Sequence, residues 1–151
     1  MKNSFTSLLL LLVLFTTSCA KEPEIKKVRY QWAGMGNFTF KMYGDLAGTY
    51  ILRSNSDLEN LKEATNGDIN ILGDYIVEVN FDEKMIVGII GEIIYEEDIA
   101  IIFKDMVETE DHITINTFEK INDIEETEGE TQPYSFAIIN KTYKSIIFNY
   151  N

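Results

Sequence analysis

Met85-Ile86-Val87-Gly88-Ile89-Ile90 is a continuous apolar run, bounded by Asp82-Glu83-Lys84 before it and Gly91-Glu92 after it. A run this short predicts a strand covered on both faces, because a buried helix would need about 10 to 12 residues. Its β-branched side chains suit a pleated surface better than a helix, where their stiff χ1 crowds the preceding turn. The chain carries 21 isoleucines in 151 residues, so the preference holds well beyond this stretch.

Working outward, the same signal recurs at short intervals. Strands are predicted over 93–95, 99–103, 112–121, 136–139 and 145–150, and Val77, Val79 and Phe81 alternate with polar residues just upstream. Near the start, Val28, Tyr30 and Trp32 alternate with Arg29 and Gln31, Gly34 and Gly36 offer a turn, and Phe38, Phe40 and Met42 alternate again, which reads as a hairpin. After Tyr43-Gly44-Asp45 a third strand is expected over 46–52. Ser56 followed by Glu59 is a capping box, and Leu58 and Leu61 share a face, so one helix is predicted near 57–65, closed by Asn66-Gly67-Asp68. Nine or ten short strands against one helix exclude a parallel α/β fold, which needs a crossover helix for each strand. The expected fold is therefore mainly β with one short helix, an antiparallel β-sandwich or barrel-like single domain over 28–151. The uncharged segment 145–150 is expected either at the centre of a sheet or as an unguarded edge, with the central place favoured.

The first residues carry a different signal. One lysine, Lys2, precedes an apolar run of eight from Leu8 to Phe15, and Thr16-Thr17-Ser18 then leads to Cys19, the single cysteine. Eight residues are far fewer than the ~20 that cross a bilayer as a helix, so the segment reads as an export signal over 1–18. The Cys19 context resembles a bacterial lipobox with Thr16 in place of its usual leucine, which implies a lipidated cysteine, carrying palmitate-type acyl chains, at the mature amino terminus. Residues 19–27, with Lys21-Glu22-Pro23-Glu24, would then be a short tether that holds the domain near a bacterial membrane, and the Lys-Glu pair hints at outer-membrane, surface-facing export. With no second cysteine, no internal disulfide is expected.

Charge and residue inventory narrow the chemistry. The formal net charge is −12, and losing Lys2 with the leader takes it to −13, the wrong sign for phosphate neutralisation, so no nucleic-acid partner is expected. A Ser-His-Asp or Cys-His centre needs a base, and the single histidine, His112, follows Glu110-Asp111 as an exposed residue would; no catalytic residue is assigned. One histidine without cysteine partners furnishes no zinc set, and Asp123, Glu125, Glu126, Glu128 and Glu130 around Gly129 read as a solvated loop without the spacing of a calcium loop. No metal and no cofactor are expected. Two alternatives stay open: a carboxylate-dependent glycosidase built from two of the 25 acids, and a glycan-binding surface module using Tyr30 and Trp32 as a stacking platform, against which their alternation with Val28 favours a core strand.

With the strands placed, the segment from about Tyr50 to Phe148 resembles the C-terminal domain of PrcB-type proteins, a family of bacterial lipoproteins named for protease-complex stability. The likeness rests on Arg53-Ser54-Asn55-Ser56-Asp57-Leu58 leading into a short helix, on Val79-Asn80-Phe81-Asp82-Glu83-Lys84-Met85-Ile86-Val87, and on Gln132-Pro133-Tyr134 before an apolar strand. Where members carry a Thr-Gly-Gly-Tyr-like turn this chain has Gly91-Glu92-Ile93-Ile94-Tyr95, so the resemblance implies only the fold and a partner-binding role. The expected function is that of a membrane-anchored, non-enzymatic envelope lipoprotein that binds or stabilises another envelope protein, such as a protease.

Overall fold

The computed structural model describes residues 24–39, 45–65, 79–95, 99–121 and 130–150. The leader, Cys19 and the acidic run over 123–129 lie outside them. The elements in chain order are β1 (Lys26–Lys27), β2 (Gln31–Thr39), β3 (Gly48–Leu52), α1 (Asn55–Ala64), β4 (Lys84–Ile90), β5 (Ile94–Tyr95), β6 (Ile99–Glu108), β7 (His112–Ile121), β8 (Glu130–Asn140) and β9 (Ser145–Tyr150). Two sheets form. One has the order β1-β6-β7-β9, the other β2-β8-β4-β3 with β5 added beside β8, and neither closes on itself. The molecule is mainly β with one helix, an antiparallel-rich sandwich as the sequence predicts.

The apolar run of β4 is explained by its place. Met85, Val87 and Ile89 face the first sheet and pack with Ala137 and Ile139 of β8 against Ile101, Phe103, Met106, Ile113 and Ile115. Ile86 and Ile90 point to the opposite face, where Phe136 and Ile138 of β8 meet Leu52, Phe81 and the helix residues Leu58 and Leu61. Helix, sheet and sheet thus form three layers with β4 and β8 at the centre, and each fully buried isoleucine there contributes on the order of 1.5–3 kcal/mol.

Gly88 breaks that run for a reason of space. It sits between Tyr50 of β3 and Phe136 of β8 in the register. The two rings stand 5.9 Å apart across it, and a Cβ added at Gly88 would lie 2.0 Å from Cδ1 of Phe136. The glycine is the room in which the aromatic pair meets.

Two buried polar side chains of β8 are paired. Gln132, fully buried in β8, donates from Nε2 to Asp45 Oδ1 at 3.1 Å and to the Gly91 carbonyl at 3.2 Å, and its Oε1 accepts from the Leu46 N–H at 3.2 Å. One side chain thus fixes two loops. Ser135, also buried, donates its hydroxyl to the Ile101 carbonyl and so ties the two sheets across the core.

Helix α1 is capped two residues earlier than expected. Ser54, not Ser56, is the N-cap, in extended conformation, and its hydroxyl accepts from the Asp57 N–H at 3.2 Å. The Asp57 carboxylate reaches back to the Arg53 N–H at 2.8 Å. The Arg53 bond foremost, with the Ser54 contacts added, holds the Asp57 carboxyl below its ordinary 3.8. A carboxyl lowered in the folded state stabilises above its unfolded pKa and loses that contribution as pH falls through the folded value. Asp57→Ala is therefore expected to cost about 1 kcal/mol at pH 7, and the gap between variant and parent in urea midpoint should narrow once the pH falls below 3.8.

Several expectations are corrected. Gly34 and Gly36 do not turn the chain: β2 runs through both and pairs with β8, with a bulge between Trp32 and Gly34. Gly36 lies opposite Tyr134, whose hydroxyl would sit 3.0 Å from an added Cβ, so its smallness serves a close approach. Residues 26–28 join the first sheet, with the Val28 N–H donating to the Met106 carbonyl at 2.9 Å, and the chain then crosses to the second sheet as β2, so the expected first hairpin is absent. Val79 and Asn80 are outside any strand, because the Asn80 carbonyl accepts from the N–H groups of Glu83 and Lys84 in a turn. The segment 145–150 is an edge strand rather than a central one, and it lies parallel to β7.

Candidate protein-binding edge

The last strand is held in place from its root. The Lys141 N–H donates to the Glu83 carbonyl at 2.8 Å and its ammonium to the Phe81 carbonyl at 2.6 Å. The Arg53 guanidinium donates to the carbonyls of Thr142 and Lys144, each at 3.4 Å. The Lys144 ammonium reaches the Thr109 carbonyl at 2.6 Å and the Glu108 carboxylate at 2.8 Å. These bonds fix the crossing from β8, in one sheet, to β9, in the other. They explain how a strand with one neighbour keeps its position.

Within β9 the side chains alternate. Ile146 and Phe148 pack onto the core between the sheets, while Ser145, Ile147 and Asn149 point outward, Ile147 with 46% of its surface exposed. On that outer face, three side chains on three adjacent strands form a row. Asn116 of β7 donates from Nδ2 to Asp105 Oδ1 of β6 at 2.6 Å, and Asn149 of β9 donates from Nδ2 to Asn116 Oδ1 at 3.0 Å. Tyr150 lies at the end of the strand, where burial, and then the Glu92 charge, push its phenol above the usual 10.

Among the described residues, β9 pairs only with β7, so the N–H and C=O groups that its alternate residues turn away from β7 form an open ladder. The other edges differ. β1 is two residues long, both lysine, which is a guarded edge. Beside β3 stands helix α1, with a depression of about 290 Å³ between them lined by residues that include Thr49, Ile51, Asp57 and Asn60. The edge of β2 adjoins an aromatic cluster in which Trp32 stacks on Phe103 at 5.3 Å and Tyr30 meets both rings edge-on. Trp32 is 39% exposed, yet one of its ring faces is taken by Phe103, and the Tyr30 hydroxyl donates to the Phe103 carbonyl at 3.3 Å, so the pair closes one side of the sandwich.

The remaining sequence candidates fall as follows. His112 opens β7, and its Nδ1 lies 3.1 Å from Thr109 Oγ1 within the β6–β7 turn, whose main chain is closed by the Thr109 N–H on the His112 carbonyl at 2.9 Å. Glu130 is the first residue of β8, opposite Tyr95. Among the described residues no group of three His, Cys, Asp or Glu is placed to hold a metal ion. The depression beside β3 presents one carboxylate, Asp57, and a second one, lined by Ile101, Thr117, Phe118, Glu119 and Tyr150, also presents one, whereas a glycosidase centre needs two across a cleft. The row through Asp105, Asn116 and Asn149 is missed by sequence reasoning. Its only signal there is asparagine inside predicted strands, where that residue is depleted.

No described helix is long and apolar enough to cross a membrane. Comparison of the chain with protein-family models, with curated proteins and with solved structures gives no match.

Proposed function

We propose that this protein is a lipid-anchored, non-enzymatic accessory of the bacterial envelope that works by binding protein, and that β9 is its docking strand. The observation that carries the reading is the uncharged, firmly rooted edge of β9, open among the described residues. An open edge accepts an extended strand through main-chain hydrogen bonds, and alternate side chains set which strand fits. The lipobox-like Cys19 supplies the anchor, and the PrcB-like pattern supplies the class of role, support of another envelope protein such as a protease.

Deletion of the gene is expected to lower the level of one envelope protein, and that protein should co-purify with the full-length chain. Ile147→Lys, which puts a charge on the docking edge, should remove it. An envelope proteome unchanged by deletion, together with glycan or peptide cleavage by the purified protein, would replace this reading with an enzymatic one. The anchor has its own measurement: Cys19→Ala should abolish fatty-acid labelling and free the protein from the membrane fraction, and labelling that persists would refute lipidation at this residue.

A further inference from the structure

The row of side chains across β6, β7 and β9 has a direction. The Asp105 carboxylate accepts from Asn116, so Asn116 turns its amide nitrogen toward Asp105 and its oxygen toward β9. Asn149 must then turn its own nitrogen inward to Asn116, which leaves its Oδ1 facing past the edge. Whatever strand lies beyond β9 is asked for a hydrogen-bond donor opposite Asn149 and an apolar residue opposite Ile147.

β9 itself meets both demands. In an antiparallel pair centred on Ile147, the Ser145 of one copy lies opposite the Asn149 of the other, and its hydroxyl is a donor on the same face. Ile147 then faces Ile147, and on the inner side Ile146 faces Phe148. Directly opposite residues in such a pair stand about 4.5–5.5 Å apart at Cβ, close enough for each of these contacts. Centring the pair on Ile146 instead sets Ser145 against Ile147, and centring it on Phe148 sets Asn149 against Ile147, a polar residue against an apolar one in each case. No charged residue lies within Ser145–Tyr150.

Resting on the reading of β9 as a strand-addition site, we infer that its occupant is β9 of a second copy. Two four-stranded sheets would become one continuous sheet about a two-fold axis through Ile147. That interface is isologous and closes after two copies. An axis perpendicular to the sheet keeps both outer faces on one side and both tethers at one height, as two anchors in one leaflet require. The paired domain, not the single one, is then what an envelope client meets. Because each mature copy carries about thirteen excess negative charges, salt should strengthen the pair by screening the repulsion.

The test uses the full-length protein in membranes, with cysteines introduced on the outer face of β9. Under mild oxidation Ile147→Cys alone should give a reducible dimer, because the two copies of that residue meet on the axis. Ser145→Cys alone and Asn149→Cys alone should give at least tenfold less, since each residue would stand four positions, roughly 13 Å, from its own copy. Co-expressed Ser145→Cys and Asn149→Cys chains should cross-link. In detergent, Ile147→Lys should convert the dimer to monomer while circular dichroism stays unchanged, Ile147 being exposed, and the melting temperature should no longer depend on protein concentration. Equal cross-linking at all three positions would mean random collision and would overturn the proposed register. If none cross-links but Ile147→Lys still strips a different protein from the captured chain, β9 binds that protein and the self-pairing is wrong. If cross-links and capture are both absent, strand addition at β9 falls with it.

Discussion

Gly88→Ala should lower the stability of the folded domain by about 3 kcal/mol, at the upper end of what one added methyl costs in a packed core. The Cβ would intrude to 2.0 Å from the Phe136 ring, which is fully buried. The ring cannot swing aside, because Tyr50 and Tyr134 stand 5.9 Å and 6.2 Å from it and β4 and β8 are bonded along their length. In a domain of this size the loss corresponds to a fall of about 10 °C in melting temperature. Phe136→Leu should recover part of it: harmful alone, it should cost less in the alanine background, with a coupling of about 1 kcal/mol or more in a double-mutant cycle. Additive losses would show that the crowding is relieved elsewhere.

Gln132→Glu should be at least as severe at neutral pH although only one group changes. The amide nitrogen that serves Asp45 and the Gly91 carbonyl becomes an oxygen, so two hydrogen bonds turn into acceptor–acceptor contacts and a buried charge faces the Asp45 carboxylate. Losing the donors alone costs a few kcal/mol, and the charge adds to it. The introduced carboxyl should therefore have a raised pKa when folded. Its penalty is absent below the unfolded glutamate value near 4.3, grows as pH rises toward the folded pKa, and is constant above that. Urea midpoints should show the variant nearest the parent at about pH 4 and far below it at pH 7. A pH-independent gap would place the damage in packing rather than charge.

Much of the fold was legible because its strongest signals come from burial. β4 reads as a strand covered on two faces since its residues meet the helix on one side and the first sheet on the other, and no isolated edge or amphipathic helix has that pattern. The helix was legible from its leucine face, while its start shifted because Ser54 rather than Ser56 had the Arg53–Asp57 pair beside it. Glycine misled: the strand runs through Gly34 and Gly36, and at Gly36 the residue that permits a turn was there to admit a neighbouring ring, a use that only the partner strand, about a hundred residues away, distinguishes. For β9 the composition offered two answers, edge or centre, and the favoured one was wrong because an edge can be held by its root through Arg53, Lys141 and Lys144 without charge of its own. The row from Asp105 to Asn149 depends on register between strands that are neighbours in space, one pair of them parallel, which no local pattern encodes.

The pairing of β2 with β8 carries a kinetic consequence. Gln31 finds Ile138 and Thr39 finds Thr131, so the second sheet cannot be completed until nearly a hundred further residues are available, and β1 likewise waits for Glu108. Chains dominated by such distant closures fold in milliseconds to seconds rather than microseconds. On the proposed reading as an exported lipoprotein, the polypeptide must stay unfolded until it has crossed the membrane. Here the delay is written into the strand order itself, since early residues have nothing to pair with until late ones arrive.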